Sequence, residues 1–192
     1  MKKVLCINGH PHEKSFNRAL QAAFVKGLVA SGHQVDEVFI GELSFEISLK
    51  KGYSERTEWE TDLLNAWELI EKADHIVWFY PVWWSSMPAV MKGFIDRILI
   101  PGKAFKYREN SPMWDKLLLG KTSEIICTLD YPPFYYKWFL GSPATKVFEK
   151  RVLNFVGIKN KRSTLLGPIR NSTLEKRQMW IQKVENLGAS IR

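Results

Sequence analysis

Residues 75–97 read HIVWFYPVWWSSMPAVMKGFIDR, and the architecture turns on them. His75 to Tyr80 is an unbroken apolar run, of the kind a strand buried on both faces requires. Pro81 ends the run, and a loop follows that holds Trp83, Trp84, Ser85 and Ser86. Pro88 then opens a helix, at a position where a missing N–H costs little. That helix runs to about Leu99 and is closed by Pro101-Gly102. A buried strand ending in two tryptophans beside a helix start makes a seat for a flat aromatic ligand.

The same alternation extends in both directions. Val4 to Asn8 predicts a first strand, ended by Gly9-His10-Pro11. Over residues 15–31, Leu20, Phe24 and Leu28 share one helical face, with Ser15 as N-cap and Gly32 as stop. Val35 to Ile40 is a second strand, and residues 41–56 read as irregular. Helical spacing resumes over 57–72, with Trp59 and Trp67 on one packing face. Beyond the opening stretch, residues 103–121 read as loop and Ser123 to Leu129 as strand four. The aromatic segment Tyr131 to Phe139 follows, then helical spacing near 143–156. A short strand near 163–166 and a helix over 173–188, capped by Ser172 or Thr173, complete the chain.

Five strands, each followed by a helix, predict a single α/β domain over residues 1–192. Its doubly wound five-stranded parallel sheet has the order 2-1-3-4-5, right-handed crossovers and helices on both faces. Such sheets bind ligands outside the carboxyl ends of the strands, where the strand order reverses. Here that point lies between strands one and three, so loops 9–17 and 81–87 define the site.

Composition agrees and removes alternatives. With 192 residues, 45% apolar and 25% charged, the chain is long enough for one domain with a sizeable core. No run of about 18 apolar residues is present, so no membrane span is expected. The start MKKVLCIN has an apolar part of only Val4 to Ile7, short of the roughly 7–15 residues of a signal segment. Cys6 and Cys127 lie in apolar strands and read as buried free thiols, which fits a reducing cytoplasm. The net charge of +8 divides into −3 over residues 1–80 and +11 over 81–192. The basic residues are scattered and no nucleic-acid-binding signature accompanies them, so nucleic acid is not an expected partner. A solvated basic face favours an anionic ligand instead.

The loop GHPHEKSFN, residues 9–17, leads from a strand into a helix N-terminus, where free N–H groups hold phosphate oxygens. Ser15 and Asn17 add donors at that turn. Neither the dinucleotide fingerprint nor the P-loop is present. His10 and His12, two apart with no cysteine nearby, do not make a zinc pair, and no metal site is expected. His10 reads as a strand-end cap or a phosphate contact.

Three stretches carry a resemblance: GHPHEKSFN at 9–17, FYPVWWSSMPAVMKGFIDRIL at 79–99 and LIPGKAFKY at 99–107. On them the chain resembles the flavodoxin-fold NAD(P)H:quinone oxidoreductases, the NAD(P)H dehydrogenase (quinone) family, over nearly its whole length. The resemblance implies a bound flavin, FMN rather than the FAD of larger relatives, reduced by NADH or NADPH and reoxidised by a quinone or similar flat acceptor. The flavin phosphate would lie against His10, Ser15, Phe16 and Asn17. The ring edge would meet Pro81, Val82, Trp83 and Trp84. The third flavin loop would be Thr128, Leu129, Asp130 and Tyr131. There the chain departs from the better-known quinone reductases. Their Thr-Thr-Gly-Gly turn and following histidine are replaced by TLDYPPFYYKW, so a histidine-assisted relay is not implied. Tyr131, Tyr135 and Tyr136 are left as candidate catalytic groups. Lys92 and Asp96, at i and i+4, and Arg97 fit the family pattern as scaffold. The resemblance also implies a homodimer in which each active site is completed by the partner chain. Two other roles exist among relatives: a flavodoxin-like electron carrier, which the charge of +8 disfavours, and an ancillary subunit bound peripherally to a membrane transporter.

Overall fold

A computed structural model describes residues 1–55 and 57–192. Five strands form one parallel sheet: β1 (Lys3–Asn8), β2 (Gln34–Phe39), β3 (His75–Pro81), β6 (Thr122–Thr128) and β7 (Lys159–Leu166). Their order is β2-β1-β3-β6-β7, the expected 2-1-3-4-5 arrangement with β6 and β7 as fourth and fifth strands. Every residue of β3 is buried, as its unbroken apolar run requires. Alternate side chains still sort to opposite faces. Leu5, Ile7, Trp78, Tyr80, Ile125 and Cys127 belong to one core layer. Val4, Cys6, Val77, Phe79 and Ile126 belong to the other.

The second layer is covered by α1 (Phe16–Ala30) and α7 (Leu174–Ala189). These two helices touch backbone to backbone through Gly27 and Gly188. A Cβ on Gly27 would lie 2.1 Å from the Glu185 carbonyl oxygen, and one on Gly188 2.2 Å from that of Phe24. Both helices are capped as their sequences suggest. Ser15 Oγ accepts from Arg18 N–H and Thr173 Oγ1 from Lys176 N–H, each at 3.2 Å, which settles Thr173 over Ser172.

The first layer is covered by α2 (Thr61–Lys72), by α3 (Ala89–Ile98) and by a helical run over residues 143–156. That run comprises α5 (Pro143–Val147), a π-helical stretch (Phe148–Leu153) and α6 (Asn154–Val156). Trp59 precedes α2 instead of lying within it. Its indole N–H donates to the Arg97 carbonyl at 2.7 Å and its ring packs 5.4 Å from that of Trp67. The Arg97 side chain is only 1% exposed. Its guanidinium donates to Glu46 O (2.5 Å), Glu58 O (3.0 Å) and the Glu60 carboxylate (2.7 Å). The irregular segment before α2 is thereby tied to α3. Lys92 and Asp96 form the expected helical ion pair at 2.6 Å.

Residues 103–121 are not simply loop. They contain an antiparallel pair, β4 (Phe105–Tyr107) with β5 (Trp114–Lys116), and Trp114 stacks 4.4 Å from Phe155. The aromatic segment after β6 forms a short helix, α4 (Pro133–Trp138). Cys6 and Cys127 are buried free thiols, and burial pushes the pKa of both upward.

Candidate functional site

Parallel register places the ends of β1, β3 and β6 side by side. Asn8 pairs with Phe79, and Pro81 with Thr128. The loops leaving these strands enclose a cleft of about 480 Å³. From the first loop it is lined by His10, His12, Lys14, Ser15, Phe16 and Asn17. Pro81, Val82 and Trp83 come from the second, Thr128, Leu129 and Asp130 from the third, and Ile169 from beyond β7.

The first loop is held by a ladder of side chains, each accepting from the amide two residues on. Asn8 Oδ1 accepts from His10 N–H, His10 Nδ1 from His12 N–H, and His12 Nδ1 from Lys14 N–H, each at 3.0 Å. Burial lowers the His10 pKa, opposed in part by its backbone hydrogen bond with His12, and the net lowering favours the neutral ring at neutral pH. Because Nδ1 accepts a hydrogen bond, the proton of the neutral ring sits on Nε2, leaving a donor. Asn17 is 2% exposed. Its Oδ1 accepts from Thr128 Oγ1–H at 2.7 Å, and its Nδ2 has no partner, as is also true of the Asn8 amide nitrogen.

The second loop is a two-residue turn. Trp83 and Ser86 exchange both backbone hydrogen bonds, at 2.9 and 2.8 Å. Between them Trp84 and Ser85 take left-handed backbone angles, with φ of 49° and 60°. This geometry normally selects asparagine and glycine. The turn sends Trp84 wholly into solvent and leaves Trp83 edge-on to His10, with ring centroids 5.6 Å apart. Val82 N–H donates to Thr128 O at 2.7 Å and seals the second loop to the third.

The third loop is buttressed from behind. Leu129 N–H donates to Leu166 O, and Leu129 O accepts from Ile169 N–H, each at 3.0 Å. Asp130 Oδ1 accepts from Arg170 N–H at 2.8 Å. Gly167 makes the close approach possible, since a Cβ there would lie 2.5 Å from Leu129 O.

Ten of the twelve residues expected to face a cofactor therefore share one cleft: His10, Ser15, Phe16, Asn17, Pro81, Val82, Trp83, Thr128, Leu129 and Asp130. Trp84 and Tyr131 do not line it. The tyrosine candidates separate. Tyr131 and Tyr135 are exposed beside the cleft, their rings 6.1 Å apart. Tyr136 is a core residue: fully buried, it accepts from Ala144 N–H at 3.0 Å, and burial pushes its pKa up to about 12. A phenol packed under α5 cannot meet a ligand, so Tyr136 is withdrawn as a catalytic candidate. His12, Lys14 and Ile169 were not singled out by the sequence. The first two lie inside the quoted loop, and Ile169 carries no sequence signal. Among the described residues no group of His, Cys, Asp and Glu is placed to hold a metal, and no helix is long and apolar enough to cross a membrane.

The donor set suits a flavin mononucleotide. A helix N-terminus, a lysine, an imidazole N–H and a buried amide without a partner line the cleft from the first loop, as a phosphate requires. Pro81, Val82, Trp83 and Leu129 add apolar and aromatic edges from the second and third loops. A sequence profile described as flavodoxin-like fold matches residues 2–187. This chain belongs to the flavodoxin-like family. Within it, the chain is similar to the ribosyldihydronicotinamide dehydrogenase [quinone] of Rattus norvegicus, 25% identical over 97% of this chain and 92% of that protein. It is also similar to FMN-dependent NADH:quinone oxidoreductase 3 of Halalkalibacterium halodurans, 33% identical over 59% of this chain and 63% of that protein. In structure it is similar to an NAD(P)H:quinone oxidoreductase from Methanothermobacter marburgensis. That match has a TM-score of 0.81 and 23% identity, covering 100% of this chain and 99% of the other. The expected resemblance to the quinone dehydrogenases holds, and this flavodoxin-like chain is an enzyme of the oxidoreductase class.

Proposed function

We propose that the chain is an FMN-dependent NAD(P)H oxidoreductase that passes hydride to a quinone or similar flat aromatic acceptor. One observation carries the reading. Asn17, buried at the meeting point of the first and third loops, keeps an amide donor that no protein group uses. Such a group costs free energy unless a ligand satisfies it. A bound flavin supplies hydride acceptance from the nicotinamide and onward transfer to the acceptor. The protein's part is binding and orientation. His10 Nε2–H, Ser15, the opening N–H groups of α1 and Asn17 Nδ2 would hold the phosphate. Pro81, Val82 and Trp83 would edge the ring on one side, with Thr128, Leu129 and Asp130 on another. Trp83 offers a stacking surface to the acceptor. The charge of +11 over residues 81–192 favours an anionic cofactor and an anionic dinucleotide.

The homodimer implied by the resemblance, in which the partner chain completes each active site, would need an apolar face. Two apolar clefts of about 290 and 250 Å³ meet at Tyr53, between α3 and the β4–β5 hairpin.

The test is direct. Flavin extracted from the purified protein is identified by mass, and NADPH or NADH is then added without oxygen while the flavin absorbance is followed. Bleaching, reversed by a soluble quinone, is the expected result. A colourless protein that takes up neither FMN nor FAD overturns the reading. Bound flavin that neither nucleotide bleaches marks an electron carrier instead.

A further inference from the structure

At the end of the sheet opposite the cleft, where the strands begin, a second cavity of about 290 Å³ opens. Four cations line it: Lys2 ahead of β1, Lys161 and Arg162 on β7, and Arg192 beyond α7. Glu124 on β6 is the one acidic side chain among the lining residues, and it is already paired. It accepts from Arg162 Nη2 at 2.6 Å and from Nε at 3.1 Å, which fixes the guanidinium at the cavity wall. The side chains of the wall thus keep an excess of positive charge.

A fault in the strand pairing brings two of these cations together. Adjacent residues of a strand ordinarily point to opposite faces. Ser123 pairs with Asn160 and Glu124 with Arg162, so Lys161 is an extra residue on β7. This bulge lets Lys161 and Arg162 line the same cavity.

A basic patch alone would be a solvated surface, but the floor of this one is a buried imidazole. His75 is 2% exposed and lines the cavity. Its Nδ1 lies 2.8 Å from Thr122 Oγ1, and its Nε2 is buried without a partner. The Thr122 hydroxyl also reaches the Asp74 carbonyl at 3.4 Å. With the hydroxyl proton turned to Nδ1, Nε2–H is an unmet donor; with it turned to Asp74, Nε2 is free to take up a proton. His33, by contrast, has both nitrogens committed. Its Nδ1 accepts from Lys2 N–H at 3.2 Å and its Nε2 lies 3.1 Å from Ile191 O, which ties the start of β1 to the chain beyond α7. Burial, with Lys2, Arg162, Lys161 and His33 around it, keeps the His75 ring neutral at pH 7. An anion among these cations would reverse their push and favour a proton on Nε2. The donors come from three strands, so they surround a tetrahedral oxyanion better than they face a flat carboxylate.

We propose that this cavity binds a phosphate group, free or carried on a small molecule, with Lys2, Lys161 and Arg162 supplying charge and His75 Nε2 a hydrogen bond from the floor. The site is separate from the flavin cleft and does not depend on the activity assigned to it.

The four histidines make the test direct, because each reports a different place. His75 reports the floor, His33 the wall, and His10 and His12 the first loop of the cleft. Their ring resonances in the full chain are followed by NMR while inorganic phosphate replaces chloride at constant ionic strength. The expected result is a saturable shift of the His75 ring, with a proton gained at Nε2. In a Lys2→Ala, Lys161→Ala double variant the affinity read at His75 falls by about tenfold or more, while the resonances of His10 and His12 stay where they are. Glycerol 3-phosphate is titrated in parallel. Tighter binding of the ester assigns the site to a phosphorylated small molecule and equal binding to the free ion; both support it. The proposal is overturned if the His75 ring does not respond to phosphate, or if chloride moves it as much. It is also overturned if only His10 and His12 respond, which would put the anion in the cleft, or if the double variant binds as well as the native chain.

Discussion

Arg97 and Asn17 are both buried polar side chains, and the chain treats them in opposite ways. Both terminal nitrogens of the Arg97 guanidinium donate twice, to the Glu46 and Glu58 carbonyls and to the Glu60 carboxylate. Burial alone would raise the Glu60 pKa, but the bonds from Arg97 hold that carboxyl below its ordinary value. Asn17 has its amide oxygen met by Thr128 and its amide nitrogen left over. A buried cation paired in this way is fixed framework, because any other arrangement would strand a charge. A buried amide with spare capacity is framework on one side and binding surface on the other. Burial by itself does not separate the two roles; the unmet donor of Asn17 matters because Asn17 also lines the cleft.

That comparison can be broken at either end. Arg97→Ala would leave the Glu60 carboxylate and two carbonyls without their donor. A loss of about 3–5 kcal/mol is expected, read as a large drop in the urea midpoint, with flavin affinity of the surviving folded fraction unchanged. Asn17→Leu should weigh on the ligand more than on the fold. It removes the cost of the unmet Nδ2 but leaves the buried Thr128 hydroxyl without its acceptor, so the two changes largely offset each other in the flavin-free protein. Flavin affinity should fall by an amount equivalent to about 1–3 kcal/mol, measured by fluorescence titration with FMN. Equal losses of stability in both variants would erase the distinction.

A smaller effect is expected at the second loop. Trp84 and Ser85 hold left-handed backbone angles without glycine, at a cost of about 1–2 kcal/mol for each residue. Trp84→Gly should therefore raise the thermal midpoint by relieving part of that cost, and a lowered midpoint would show that the exposed indole stabilises the turn.

The smallest effect at neutral pH belongs to His75, a buried polar group at the amino end of the central strand β3. Burial, reinforced by Lys2, Arg162, Lys161 and His33, lowers its pKa from 6.5 to about 4. Between those values the unfolded chain takes up a proton that the folded chain refuses. Stability should thus fall as pH drops from 6.5 towards 4. His75→Gln should flatten that slope while changing little at pH 7, as denaturation curves across the range would show.

The sheet was legible because β3 is apolar from Ile76 to Tyr80, β6 carries Ile125 to Cys127, and Gly, Pro and Ser mark the strand and helix ends. Three features were not. The β4–β5 pair has three residues in each strand and charges between its aromatics, too short for a period of two to emerge. The turn at Trp84-Ser85 uses residues that do not announce a positive φ, so nothing indicated that neighbouring tryptophans would part, one to the cleft and one to solvent. Tyr135 and Tyr136 are adjacent and chemically identical, and only the tertiary contact with Ala144 sends one into the core. The cleft itself followed from strand order. Which tyrosine belonged to it depended on packing that no local pattern encodes.

The single bond between the Tyr136 phenol and Ala144 has a consequence for the history open to this fold. Because α4 is anchored by that one side chain, its outer positions can be exchanged while the sheet, the cleft and the flavin loops stay as they are. Exposed substitutions away from such anchors change stability by about 0.5 kcal/mol or less. Phe134, Trp138 and Phe139 can therefore drift, and with them what the cleft opens onto, without passing through an unfolded ancestor. A single buried phenol makes the face of this enzyme replaceable.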